Sequence, residues 1–124
     1  MRQPIIDGIV IICIVCLLVV LLNLLGIFMN YRSKKLLEVV REFPCAMCGR
    51  QDWTICAGHS NQQRDGKGTG IKAHDYRIAS LCYQCHDMID NNKELDRHER
   101  IEAWEQAHRK TIGWLFDRGV IKIG

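Results

Sequence analysis

Two cysteine pairs, Cys45-Ala46-Met47-Cys48 and Cys82-Tyr83-Gln84-Cys85, constrain this chain more than any other feature. A CxxC turn lets two sulfurs reach one ion, and four thiolates at this spacing suit a tetrahedral structural zinc site. In a reducing cytoplasm disulfides are unstable, which favours metal further. At 124 residues the chain holds one small domain, whose limited core calls for such reinforcement. Between the pairs runs Cys56 to Asp75, "CAGHSNQQRDGKGTGIKAHD", with a loop after His59 that holds Gly66, Gly68 and Gly70 and the basic residues Arg64, Lys67 and Lys72. Zinc would close the loop entropy that this segment otherwise leaves open. Cys56 has no partner in the pattern and reads as buried structure.

The first thirty residues differ from the rest. From Gly8 to Met29 there are 22 residues with Asn23 the one strongly polar member. As a helix this is about 33 Å, against a hydrocarbon core of about 30 Å. The run is too long for a secretory signal and lacks a small-residue cleavage site. Residues 1–30 therefore read as a single-pass membrane anchor. Arg32, Lys34, Lys35 and Arg41 follow it closely, which puts residues 31–124 on the cytoplasmic side of the inner membrane with the N-terminus out. Cys13 and Cys16 lie in the apolar run as small hydrophobes. Met29 also opens "MNYRSKKLLEVV", a second possible start, which would give a soluble cytoplasmic protein.

Charge is uneven beyond the apolar run. Residues 31–85 carry 9 Lys/Arg against 5 Asp/Glu, and residues 86–124 carry 7 against 8. The basic half surrounds the glycine loop and suits a polyanionic partner.

Local signals give an α+β domain without internal repeats. Ser33 can cap a helix to about Phe43, buried along Leu36, Leu37, Val40 and Phe43, with Pro44 stopping it. Turn signals around Trp53-Thr54-Ile55 predict a hairpin or short strand between Cys45 and Ala57. A second strand is expected at Arg77–Leu81, and a short helix over 83–90, ended by Asn91-Asn92. Asp96 with Glu99 forms a capping box for a last helix that places Ile101, Trp104, His108, Ile112 and Leu115 on one face and ends at Gly119. Trp104 and Trp114 read as core. His74, His98 and His108 read as loop, helix-surface and core-edge residues.

Chemistry concentrates on two other histidines. His86 directly follows the second cysteine pair, and Asp90 lies one helical turn on, so the two make a half-shell for a divalent cation. His59 opens the basic loop and is placed to act as general base beside a metal-bound phosphate. Arg64, Lys67 and Lys72 would hold the phosphate backbone, which glycines allow to approach closely.

The segment "AGHSNQQRDGKGTGIKAHDYRIASLCYQCHDMID", with "YRSKKLLEVVREFPCAMCG" before it and "WEQAHRKTIGWLF" after it, resembles the HNH (ββα-metal) nucleases. The likeness is to the small phage and prophage group that includes the Ref-like recombination-enhancing proteins and their YbcO-like relatives, and it covers residues 31–120. It implies a zinc-bound HNH domain with flanking helices that cuts DNA with Mg2+ or Mn2+. His59 would be the base, His86 a metal ligand and the four cysteines zinc ligands. Some members act on DNA held by a RecA filament. Where many HNH enzymes carry a further metal ligand just before the base, this chain has Gly58, so Asp75 or Asp90 would complete the shell. Asp75, or Asn61, would take the orienting role of the motif's middle residue.

Two other classes are open at this stage. A non-catalytic zinc ribbon binding nucleic acid or protein would need the cysteines and the basic loop but not His59 and His86 together. A membrane-anchored c-type cytochrome would use Cys82-x-x-Cys85-His86 as its haem attachment, leaving Cys45 and Cys48 unexplained.

Overall fold

A computed structural model of the chain describes residues 4–24, 29–91 and 93–124. In chain order the described elements are α1 (Pro4–Leu24), α2 (Lys34–Val40), β1 (Cys56–His59), a 3-10 turn (Gln63–Asp65), β2 (Ile78–Leu81), α3 (Tyr83–Asn91) and α4 (Arg97–Asp117). The domain is α+β, with β1 and β2 forming an antiparallel pair in which Cys56 faces Leu81 and His59 faces Ile78.

β2 is the centre of the packing. All four of its residues are buried, and α4 lies across it. On one side Ala79 and Leu81 join Ile55, Ile89, Trp104 and Ala107; on the other Ile78 meets Val40, Phe43 and Leu115. Polar groups in this core are matched. Ser80 N donates to Thr111 Oγ1 at 2.9 Å, Ser80 Oγ donates to Pro44 O at 2.9 Å, and Ser80 O accepts from Ala46 N at 2.8 Å. A buried polar group left without such partners would cost about 1–3 kcal/mol.

Helix ends follow local chemistry. Ser33 caps α2 through Leu36 N, and Asp96 and Glu99 form the reciprocal capping box of α4. Arg118 is the C-cap of α4, and Gly119 beyond it takes φ 68°, the left-handed turn expected of that glycine. Trp104, His108 and Leu115 are buried along α4 as anticipated, joined by Ala107 and Thr111, while Ile101 and Ile112 are half-buried.

The strand expected around Trp53 is corrected. Residues 45–55 form turns, Trp53 is 94% exposed, and β1 starts only at Cys56. The physical reason is the first cysteine pair: Cys45 N bonds Arg50 O at 2.7 Å and Gly49 N bonds Cys45 O at 2.9 Å, which curls this backbone into a knuckle. The helix expected to reach Phe43 ends at Val40 and tightens into a turn. Asn92 lies outside the described residues.

The glycine loop is tied down from within and without. Asp65 is buried and takes two hydrogen bonds from Arg77, at 2.7 and 3.1 Å, and one from Ser60 Oγ. Arg77 also pairs with Glu105 of α4 at 3.0 Å and lies over the Trp104 ring. From the N-terminal side, Asn30 Nδ2 donates to Gly66 O and Lys72 O, and Arg32 donates to Ala73 O. A Cβ at Gly66, where φ is 90°, would stand 2.8 Å from the Asn30 amide.

α1 is apolar on all sides, and Ile11, Ile12 and Leu17 are among its exposed residues. Among the described residues no helix is long and apolar enough to cross a membrane. Residues 25–28 of the expected anchor lie outside the described residues. Neither core cluster contains a residue of α1.

Two outcomes are expected. A chain begun at Met29 keeps Asn30, Arg32 and both cores, and should melt within a few degrees of the complete domain with unchanged zinc content. Asp65→Asn should cost about 2–3 kcal/mol in urea unfolding, less than a fully buried pair because Arg77 retains Glu105. Burial alone would raise the Asp65 carboxyl, but the Arg77 and Ser60 hydrogen bonds outweigh it and hold it below the ordinary carboxylate value. Its stabilisation is therefore complete above that ordinary value and is lost as pH falls through the lower folded one, a loss that Asp65→Asn should not show.

Candidate metal centre and active site

The cysteine pairs converge. Cys45, Cys48, Cys82 and Cys85 present sulfurs that all lie within 4.8 Å of one another, with Cys48 Sγ and Cys82 Sγ 3.7 Å apart. Four sulfurs at about 2.3 Å from a tetrahedral ion stand about 3.75 Å from each other, so the cluster is compatible with a structural Zn2+ site. It is the one such group among the described residues. Cys82 closes β2, Cys85 lies in the first turn of α3, and Cys45 and Cys48 belong to the knuckle that Ala46 N pins to β2. Burial pushes the Cys45 thiol up, but the backbone N–H groups of Cys48, Cys82 and Met47 more than offset it, leaving it at about 7. Cys82 and Cys85 are pushed up, first by burial and then by neighbouring sulfurs. Haem attachment would consume Cys82 and Cys85 as thioethers, whereas here both stand with Cys45 and Cys48.

His86 follows Cys85 into α3. Its Nε2 lies 3.1 Å from Asp90 Oδ2, and its Nδ1 lies 3.4 Å from Cys56 Sγ. Hydrogen bonding to Asp90, then to Cys56, raises His86 to about 10 against the opposing effect of burial. Asp90 also accepts from Asn61 Nδ2 at 2.6 Å. Although burial raises its carboxyl, His86, Asn61 and Lys67 bring it below the ordinary value. Two donors on one octahedral ion at about 2.1 Å are about 3.0 Å apart, so the His86–Asp90 pair has the spacing of adjacent ligands.

His59 ends β1. Its Nε2 is 2.7 Å from Asp75 Oδ1, and its side chain is 15% exposed. Asp75 is buried and also accepts from Ser33 N at 2.6 Å and Arg32 Nη1 at 3.2 Å. Burial raises the Asp75 carboxyl, and the bonds from His59 and Ser33 more than reverse this. An ionised carboxylate only accepts, so the His59 nitrogen that faces it, Nε2, is the donor of this bond.

The two histidines approach the hairpin from different sides. Alternation along β1 puts Gly58 and Cys56 on one face and His59 on the other. His86 occupies the Gly58 face: a Cβ at Gly58 would lie 2.8 Å from Leu81 Cδ1 and 3.5 Å from His86 Cδ2. A side chain there would have to displace the buried Leu81 methyl group, and the residue before His59 supplies no ligand. Asp75 serves His59, Ser33 and Arg32, while Asn61 serves Asp90, so of the two candidates Asp75 is the one on His59. Asp75 does not join His86 and Asp90 in a three-donor group among the described residues.

The basic residues divide. Arg64 is 66% exposed but pairs with Glu105 at 2.8 Å, and Lys67 is close enough to lower Asp90. Lys72 is exposed, and its carbonyl anchors Asn30 and Arg32. The partnership of Cys56 with His86 escaped the sequence reading; their separation of thirty residues carries no local signal. No family model, curated protein or solved structure matches the chain.

Cys48→Ser should remove the bound zinc and unfold the domain, whereas Cys56→Ala should keep zinc and the fold. Metal analysis together with circular dichroism separates the two.

Proposed function

We propose that the chain is a zinc-stabilised, HNH-type endonuclease that hydrolyses DNA phosphodiester bonds. The reading is supported above all by one arrangement. At the end of β1, His59 is held by a buried carboxylate, and two residues later Asn61 reaches the Asp90 that pairs with His86.

Each residue has a chemical task in this reading. Asp75 fixes the His59 ring and stabilises its charged form as it gains a proton. His59 Nδ1 takes a proton from water, the water oxygen bonds to phosphorus, and one ester P–O bond breaks. The leaving oxygen then takes a proton from solvent. His86 and Asp90 would hold the divalent ion, Mg2+ or Mn2+, which supplies positive charge to the phosphate oxygens. On binding the ion His86 would give up its Nε2 proton and keep the Nδ1–H toward Cys56, so that Nε2 is the atom offered to metal. The zinc cluster sets where α3, and with it His86, leaves the sheet.

A second reading has an observation in its favour. His86 and Asp90 offer two ligands, Gly58 adds none, and the four sulfurs form the one cluster of three or more donors among the described residues. This favours a zinc module that binds nucleic acid without cutting it.

Plasmid cleavage separates the readings. Wild type should nick DNA with Mg2+ or Mn2+ and stop with chelator. His59→Ala should keep zinc and DNA binding but lose about 10²–10⁴-fold in rate. Equal cutting by both proteins would remove His59 from the chemistry, and DNA binding without cutting by either would establish the module.

A further inference from the structure

A cleft of about 410 Å³ opens beside Asp90, between the segment after β1, the end of α3 and the start of α4. Asn61 and Gln62 line one side, Arg97 and Arg100 the other, and Ile89, Ile101 and Trp104 contribute apolar walls. Gln62 is held at 2.8 Å by Glu105, and Arg100 Nε donates to Leu95 O at 3.0 Å, so both sides are fixed. Arg97 is exposed. Unlike Arg64, neither Arg97 nor Arg100 forms an ion pair among the described residues. The one carboxylate in the cleft, Asp90, is engaged by His86 and Asn61.

This combination has a chemical meaning. Two arginines free of acidic partners fit phosphate oxygens through planar donor groups. Apolar walls beside them fit a sugar or base face. The volume is that of a small-ligand site, enough for about one nucleotide and far too small for a duplex.

We propose that this cleft grips a single strand of nucleic acid, with Arg97 and Arg100 on its phosphates and one unpaired nucleotide against the half-buried Ile101, over the edges of the core residues Ile89 and Trp104. The inference rests on the nuclease reading for its placement, since Asp90 belongs to both the cleft and the metal pair. It assigns a preference for unpaired strands and gives the grip to α4, where the basic loop had been expected to supply it.

Binding in chelator, where no cutting occurs, tests the grip apart from the chemistry. Fluorescence anisotropy with the full chain would compare a labelled single-stranded oligonucleotide, the same sequence as a duplex, and the variants Arg97→Ala, Arg97→Glu, Arg100→Lys and Arg109→Ala. Single-stranded DNA should bind at least tenfold more tightly than duplex. Arg97→Glu should weaken it more than Arg97→Ala, Arg100→Lys should weaken it with the melting temperature unchanged, and the distant Arg109→Ala should have no effect. Removing one arginine–phosphate pairing should make the salt slope shallower by about 0.7. Equal affinity for duplex, or full affinity in Arg97→Glu, would overturn the proposal even if the protein cuts DNA. Loss of cutting in His59→Ala with this binding intact would leave it standing.

Discussion

Four sulfurs meeting at one point determine how the rest of this domain is arranged. The cluster joins the knuckle before β1 to the corner where β2 becomes α3, alongside the hydrogen bonds that tie Pro44 and Ala46 to Ser80. A two-stranded sheet is marginal in water by itself. Here it is stabilised from one end by the cysteines and across its face by α4; the core on one side of β2 includes Cys45, Cys82 and Cys85, and the core on the other is built by Val40, Phe43, Ile78 and Leu115. Position of the site follows directly, because His86 is the residue after Cys85 and its orientation is inherited from the knuckle.

A second layer of organisation is ionic. Arg77 lies at its centre, bonding Asp65 in the loop and Glu105 on α4 while its guanidinium covers Trp104. A segment with several glycines would lose much entropy on ordering. The Asp65–Arg77 pair, the Asn30 amide and the Arg32 guanidinium offset that loss with hydrogen bonds to loop carbonyls and carboxylates. The loop is therefore a built wall of the domain, and its cations are partly engaged by neighbours.

Local signals made some of this legible. The caps at Ser33 and Asp96, the left-handed glycine after α4 and the cysteine spacing are short-range devices, and each is present where the residues indicated. Where the controlling partner is distant, the sequence was silent or misleading. Trp53-Thr54-Ile55 has the composition of a strand, but the knuckle at Cys45–Gly49 removes its pairing edge. The bonds between Cys56 and His86, Asn61 and Asp90, and Asp65 and Arg77 join residues brought together only by the hairpin. Gly58 looked like a missing ligand, and the packing gives it another meaning: it lets the Leu81 side chain come close to the strand. His59 and His86 were expected around one phosphate, and the strand's alternation puts them on different faces of β1.

The anchoring of Asp75 has a mechanical consequence. Its carboxylate is held by the backbone of Ser33 and the side chain of Arg32, residues that immediately precede α2 and follow the apolar N-terminal segment. A pull on that segment would load the Asn30 bonds to Gly66 and Lys72 first and those of Arg32 and Ser33 next, before it reached either core. The ring of His59 would register tension through Asp75 once the Asn30 bonds had yielded, which ties the proposed catalytic geometry to the root of the apolar segment.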